Sequence, residues 1–323
     1  MLLIAFFALI ALTFSQPPAL TLEIPFPLLP LPNITLPSLV GKNILVTGCR
    51  GIALEIVNQA YALGANVACT TRNRHTFNYA TVPSTVEVWK LDYRKSNSPT
   101  KLINKFVMEY GRRPDAVFDL ALEVINGDTN DYTEDLMDDS WGMYVKGSLL
   151  LEQAILALGD SEVPLIISYG LSAASKAMLP VFQEFYNMGK IFKEQHIKGQ
   201  NMQKKYPNVQ YKGVMCTFTN TTISITSYNP SAVKGDIVQQ QFQAVIVSAG
   251  LALGVPPATV ALAHLQAAYG GVYGNETIFN VLPIAGSIYS NPFYLQTFAS
   301  GYVYEVNGTV LFMTRFGLDV TVH

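Results

Sequence analysis

Gly41-Lys42 leads into Asn43-Ile44-Leu45-Val46-Thr47, a short apolar run of strand type, and then into Gly48-Cys49-Arg50-Gly51-Ile52-Ala53. A helical pattern follows from Leu54 through Ala62, ended by Leu63-Gly64. Asn66-Val67-Ala68-Cys69-Thr70 then reads as a second strand, with Arg72 in the loop beyond it. Strand, glycine turn, helix and strand in this order form the first half of a nucleotide-binding α/β fold. Glycines let the backbone approach a pyrophosphate, and the helix N-terminus offers oriented N–H donors to it.

The pattern continues in kind. Val86–Asp92 reads as a third strand, Lys101–Tyr110 as an amphipathic helix and Pro114–Leu122 as a fourth strand. An apolar helix follows from Ser148 to Leu158, then a fifth strand, Pro164–Ser172, and a helix running on to Lys205. Asn208–Cys216 is a sixth strand, Pro256-Pro257 starts a helix through Tyr269, and Thr277–Ile284 is the last sheet strand. Beyond it, Tyr302–Val306 and Thr309–Met313 flank Asn307-Gly308, a pair suited to a type I′ turn, so the tail forms a hairpin. The hairpin is open to covering a cleft, docking on a membrane or pairing with another subunit. The expected architecture is α/β: one Rossmann-type doubly wound parallel sheet over residues 41–285, with a C-terminal extension, 286–323.

Several segments together resemble the short-chain dehydrogenase/reductase family. The family writes T-G-x-x-x-G-x-G after its first strand; this chain has Thr47-Gly48-Cys49-Arg50-Gly51-Ile52-Ala53, one residue short and with alanine for the third glycine. Asp92 stands at the end of the third strand, where the resemblance implies a place near the adenine. Asp119-Leu120-Ala121-Leu122 occupies the family's N-N-A-G segment and keeps only Ala121. Tyr144 replaces the asparagine of N-V-x-G, and the proline-glycine expected after the sixth strand is missing.

Tyr186-Asn187-Met188-Gly189-Lys190 matches the family's Y-x-x-x-K, and Ser172 lies at the spacing of its serine, with Ser168 and Ser175 as poorer fits. Four-residue spacing puts tyrosine and lysine on one helix face. A nearby ammonium lowers a phenol's pKa from about 10 toward working pH, so the phenol can exchange a proton with a substrate oxygen. The resemblance implies Tyr186 as general acid/base, Lys190 as its partner and ribose clamp, and Ser172 as the group polarising the carbonyl. It places Thr47, Gly48, Arg50, Gly51, Ile52, Arg72, Asp92, Ala121 and Lys190 around the cofactor. No acid occurs between Val67 and Arg74, and Arg50 and Arg72 flank the expected 2′-phosphate, so NADP(H) is favoured over NAD(H). His75, His196, His264 and His323 show no metal spacing, and no metal is expected.

The three cysteines, Cys49, Cys69 and Cys216, do not make a disulfide framework. Buried free thiols are the expected state; a Cys49–Cys69 bridge is the alternative, because the glycine loop and the second strand end are neighbours in this fold. The apolar run Leu2–Phe14 is too short to span a bilayer. With Thr13 and Ser15 at the −3 and −1 positions it reads as a signal peptide, residues 1–15, an uncleaved anchor being the alternative. Residues 16–40 are proline-rich and expected to lie extended over the main domain. Asn33, Asn220, Asn275 and Asn307 begin N-glycosylation triplets, and together with the leader they point to the secretory pathway, secreted or in the endoplasmic reticulum lumen.

Only 14% of the 323 residues are charged, half are apolar, and the net charge is −2. Roughly 25% charged is usual for a soluble domain. Nucleic acid is therefore not an expected partner; membrane-surface contact and a homo-oligomer stay open. The expected function is an NADP(H)-dependent oxidoreductase acting on an alcohol or carbonyl of a small lipophilic molecule, such as a retinoid, steroid or fatty aldehyde. The alternative is a binding protein that keeps the fold without turnover, favoured by the short glycine loop, Asp119–Leu122, Tyr144 and the missing proline-glycine.

Overall fold

The computed structural model describes residues 36–122, 132–159, 162–172, 184–216, 219, 257–270, 278–283, 301–306 and 309–314. The expected leader, most of the proline-rich segment, the asparagines of all four glycosylation triplets, Ser175 and His323 lie outside the described residues. The strands are β1 (Asn43–Thr47), β2 (Asn66–Thr71), β3 (Glu87–Lys90), β4 (Ala116–Asp119), β5 (Leu165–Ser172), β6 (Val209–Cys216), β7 (Ile278–Pro283), β8 (Gly301–Val306) and β9 (Thr309–Thr314). The helices are α1 (Ile52–Ala62), α2 (Ser98–Tyr110), α3 (Glu134–Trp141), α4 (Gly147–Leu156), α5 (Glu184–Gln203) and α6 (Pro257–Tyr269).

The strands form one sheet in the order β3-β2-β1-β4-β5-β6-β7-β9-β8. The first seven run parallel. β1 is buried at every residue, as a strand covered on both faces must be. Its side chains alternate between two cores. Ile44 and Val46 pack with Ile56, Val57, Ala261 and Leu265 under α1 and α6. Leu45 packs with Phe106, Leu151 and Ile197 under α2, α4 and α5 on the other face. Leu39 lies in the first core and its amide bonds the Leu63 carbonyl, so the packed domain starts before Gly41.

β7 is not the last strand of the sheet. The hairpin β8–β9 continues it, with β9 antiparallel to β7 from Phe279↔Met313 to Pro283↔Thr309. Antiparallel pairing needs no crossover helix, so a hairpin can join an exposed parallel edge directly.

The free-thiol expectation is corrected for two of the three cysteines: Cys49 and Cys69 form a disulfide. β1 and β2 are neighbours with Val46 opposite Cys69, and the turn after β1 brings the Cα of Cys49 to 5.6 Å from that of Cys69. Cα atoms about 4.4–6.8 Å apart suit a disulfide. Cys216 keeps its thiol, which contacts the Leu171 carbonyl at 3.6 Å.

Candidate functional site

The site is built where the chain order reverses, between β1 and β4, at the carboxyl ends of the parallel strands. Open α/β sheets present their binding crevice there. Thr47 ends β1 and ties the two halves together. Its hydroxyl donates to Asp119 Oδ1 at 2.8 Å and accepts from the amides of Leu120 and Ala121, both at 2.9 Å. Ala121 is thus fixed over the glycine turn, its Cα 3.7 Å from where a Cβ on Gly48 would lie.

The turn itself is Gly48–Gly51. Gly48 has φ +88° and its amide donates to Thr70 Oγ1 at 2.9 Å. Gly51, at φ +54°, precedes α1, and no side chain caps that helix start. The first amides of a helix need partners from outside it and favour an anion. Ile52 is its first residue, and Ala53, in place of the third glycine, is buried against Gly48 with 3.5 Å available between Cβ positions. Arg50 in the turn and Arg72 just past β2 are exposed. These features suit a nucleotide phosphate. Asp92 is half-buried, and its Oδ1 accepts the amide of Arg94 at 3.3 Å, holding its own loop.

The second part of the site comes from α5 and from the helix that packs on it. α3 is capped by Thr133, whose hydroxyl accepts the Leu136 amide, with Glu134 and Asp135 in the first turn, favourable at a helix N-terminus. α3 runs into α4 through a π-helical turn, Gly142–Lys146. Such turns insert a residue and are frequent at functional sites. This one turns Met143, Tyr144 and Val145 inward, where Leu122, Phe185, Tyr186 and Phe192 pack on them. Tyr144 meets Tyr186 edge to face, ring centroids 6.1 Å apart. A Cβ on Gly189 would lie 2.5 Å from Tyr144 Cβ. Gly189→Ala therefore forces the two helices apart and should cost about 1–3 kcal/mol by overpacking. Urea unfolding checks this, and an unchanged midpoint would contradict the contact.

Lys190 is 8% exposed. Its Nζ donates to the Gly170 carbonyl at 2.6 Å, two residues before Ser172 on β5, and lies 5.3 Å from the Tyr186 ring centroid. Burial, seconded by the Lys193 cation, lowers its pKa to about 7. Ser172 is buried at the end of β5. The fold thus brings Tyr186 and Lys190 together and sets Lys190 against the strand that carries Ser172.

A lysine whose folded pKa falls below its ordinary value destabilises the folded state. That penalty is full below about pH 7 and is relieved as pH rises toward 10.5. One pKa unit corresponds to about 1.4 kcal/mol. The full shift corresponds to about 5 kcal/mol and the lost hydrogen bond to Gly170 offsets part of it, so Lys190→Met should raise stability by a few kcal/mol at pH 6, with the gain shrinking toward pH 10. Equal gains at both pH values would contradict it.

Sequence reasoning missed the centre of the site. Asp119, 1% exposed, accepts hydrogen bonds from Thr47 and from the Tyr93 hydroxyl at 2.8 Å, and pairs with Lys193 Nζ at 3.1 Å. Burial alone would raise its pKa; Lys193 and these hydroxyls outweigh that and hold it below the usual carboxylate range. Lys193 is one turn beyond Lys190, and an acid closing an apolar strand was the signal. Ser168 Oγ and His264 Nδ1 are 2.8 Å apart in the core. Burial, then Lys190, lowers the His264 pKa to about 3, so it is neutral. Glu152 gathers the hydroxyls of Tyr169 and Tyr211 and His196 Nε2, at 2.9, 2.8 and 2.7 Å. Among the described residues no group of three or more His, Cys, Asp or Glu is placed to hold a metal ion.

No family model and no curated protein sequence matches the chain. Solved structures do. A short-chain dehydrogenase from Burkholderia cenocepacia, in complex with NADP, superposes with a TM-score of 0.61 at 18% identity, over 75% of this chain and 97% of that one. 3-Ketoacyl-(acyl-carrier-protein) reductase from Brucella melitensis, complexed with NADH, gives 0.61 at 14% identity, over 75% and 96%. L-sorbose reductase from Gluconobacter frateurii, complexed with NADPH and L-sorbose, gives 0.61 at 14%, over 73% and 92%. At such identities the likeness shows the fold: this chain has the doubly wound fold of the short-chain dehydrogenases.

Proposed function

We propose that the protein is an NADP(H)-dependent oxidoreductase that interconverts an alcohol and a carbonyl on a small lipophilic molecule. The observation that carries this reading is the Tyr186–Lys190 pair, set against the carboxyl-terminal part of β5 in a sheet whose first strand leads into a glycine turn and an uncapped helix start. The solved neighbours bound to NADP, NADPH or NADH lend it support. The turn at Gly48–Gly51, with Ile52 and Ala121, would hold the dinucleotide, Arg50 and Arg72 its 2′-phosphate, and Lys190 the nicotinamide ribose. NADPH held there would supply the hydride for the carbonyl carbon. Ser172 orients the carbonyl oxygen, and the Tyr186 hydroxyl delivers the proton that oxygen needs. Lys190 in its charged form favours the phenolate left on Tyr186. The apolar composition favours a lipophilic substrate.

The secretory reading gains support from the disulfide, since such bonds persist in oxidising compartments. Protein recovered from eukaryotic culture medium with residues 1–15 intact would contradict cleavage of the leader.

One observation favours the non-enzymatic alternative. Tyr144 is 5% exposed against Tyr186, Leu122 packs beside it, and a Cβ on Gly170 would lie 2.6 Å from Leu120 Cδ2. Aromatic and leucine side chains thus fill space close to Tyr186 and Lys190. The deciding experiment is a panel of aldehydes and ketones, retinoid, steroid and fatty, incubated with the purified protein and NADPH. Oxidation of NADPH with at least one member is expected. Nucleotide binding without consumption across the panel would establish the alternative.

A further inference from the structure

The disulfide joins the second residue of the turn after β1 to β2. The two anchors differ in rigidity. Cys69 is held in the sheet interior, in register with Val46 on one side and Val88 on the other. Cys49 belongs to a four-residue turn bounded by two glycines at positive φ, a backbone that loses more freedom than any other on being ordered. The amide of Gly48 bonds Thr70 Oγ1, so a polar link runs beside the covalent one. Both cysteines are buried, at 3% and 0% exposure. The turn is one residue shorter than the pattern it resembles, and a covalent tie to the sheet restores its definition.

The residues beside the bridge have a common chemistry. Arg50 follows Cys49 directly, and Arg72 follows Cys69 by three positions; both are exposed. Resting on the reading that this crevice takes NADP(H), we propose that the Cys49–Cys69 bridge determines nucleotide specificity. It holds the Arg50 turn at a fixed distance from the Arg72 strand end, and so sets the spacing of two guanidiniums for one 2′-phosphate. Planar guanidiniums reward phosphate only when their geometry is fixed. An ordered turn removes the cost of ordering it on binding. The pyrophosphate would also meet the uncapped amides at the start of α1, which the helix itself holds in place, and so would depend less on this spacing.

The experiment measures dissociation constants for NADPH and NADH on the full-length oxidised protein, the Cys49→Ala/Cys69→Ala variant, Arg50→Ala, and the triple combination. A Cys49→Ser/Cys69→Val variant serves if the alanine pair does not fold. Loss of the bridge should weaken NADPH by about tenfold or more and NADH by about threefold or less. Arg50→Ala should add little once the bridge is gone. An equal loss for both nucleotides, or no loss for either, overturns the proposal and leaves the bridge a staple of the fold while the nucleotide site stands. Oxidised protein that binds both equally tightly also overturns it. Oxidised protein that binds neither removes the nucleotide reading, and the proposal with it.

Discussion

Asp119→Ala is expected to cost about 3–5 kcal/mol of stability, the usual result of stripping one partner from a buried ion pair. Lys193 would keep its charge in the core with no carboxylate beside it, and Tyr93 and Thr47 would lose their acceptor. Against a typical total of about 5–15 kcal/mol this is a large fraction. In a domain of this size it should lower the melting temperature by roughly 10 °C. Lys193→Met alone should cost less, because Asp119 keeps two hydroxyl donors. The double variant should be more stable than Asp119→Ala, since the orphaned cation goes with its partner.

The pH dependence follows from the direction of the shift. Asp119 has a folded pKa below its ordinary value, so its contribution is present in full above about pH 4 and is lost as pH falls through the folded pKa. The gap in stability between wild type and Asp119→Ala should therefore be constant at neutral pH and close in acid. Thermal melts from about pH 2 to about pH 7 read it directly. A gap that widens in acid would contradict the charged assignment.

The second large effect is on chemistry. Tyr186→Phe removes the only hydroxyl of that residue and should reduce kcat by about 10²–10⁴-fold, the range for losing a general acid. Stability and nucleotide affinity should change little, since the Tyr186 ring still packs on Tyr144. Lys190 gives the accompanying pH signature. Its pKa of about 7 means that its cation is lost through neutrality in the free protein. As kcat/KM reports groups of the free enzyme, its value for carbonyl reduction should fall as pH rises through about 7. A flat profile there would remove Lys190 from the proton chemistry.

Much of the fold was legible because parallel strands announce themselves. Asn43–Thr47 and Leu165–Ser172 are apolar on both faces, and the glycine turn fixes which helix follows which strand. The pair Tyr186 and Lys190 was legible because four-residue spacing on a helix is a local property. The buried centre was not. Asp119 comes from β4, Lys193 from α5 and Tyr93 from the turn after β3, and only their packing makes one network of them. Parity hid the disulfide: three cysteines argue for thiols, whereas the register of β1 against β2 brings two of them within bonding reach. The hairpin was legible from Asn307-Gly308, but its place against β7 depends on which sheet edge stays open.

Everything proposed for Tyr186, Lys190 and the arginines requires the crevice at the carboxyl ends of β1 and β4 to take a dinucleotide. Equilibrium titration of the purified, oxidised protein with NADPH and with NADH tests it most directly. Saturable binding of one nucleotide per chain, tighter for NADPH, is the predicted result. No binding of either nucleotide would contradict the account.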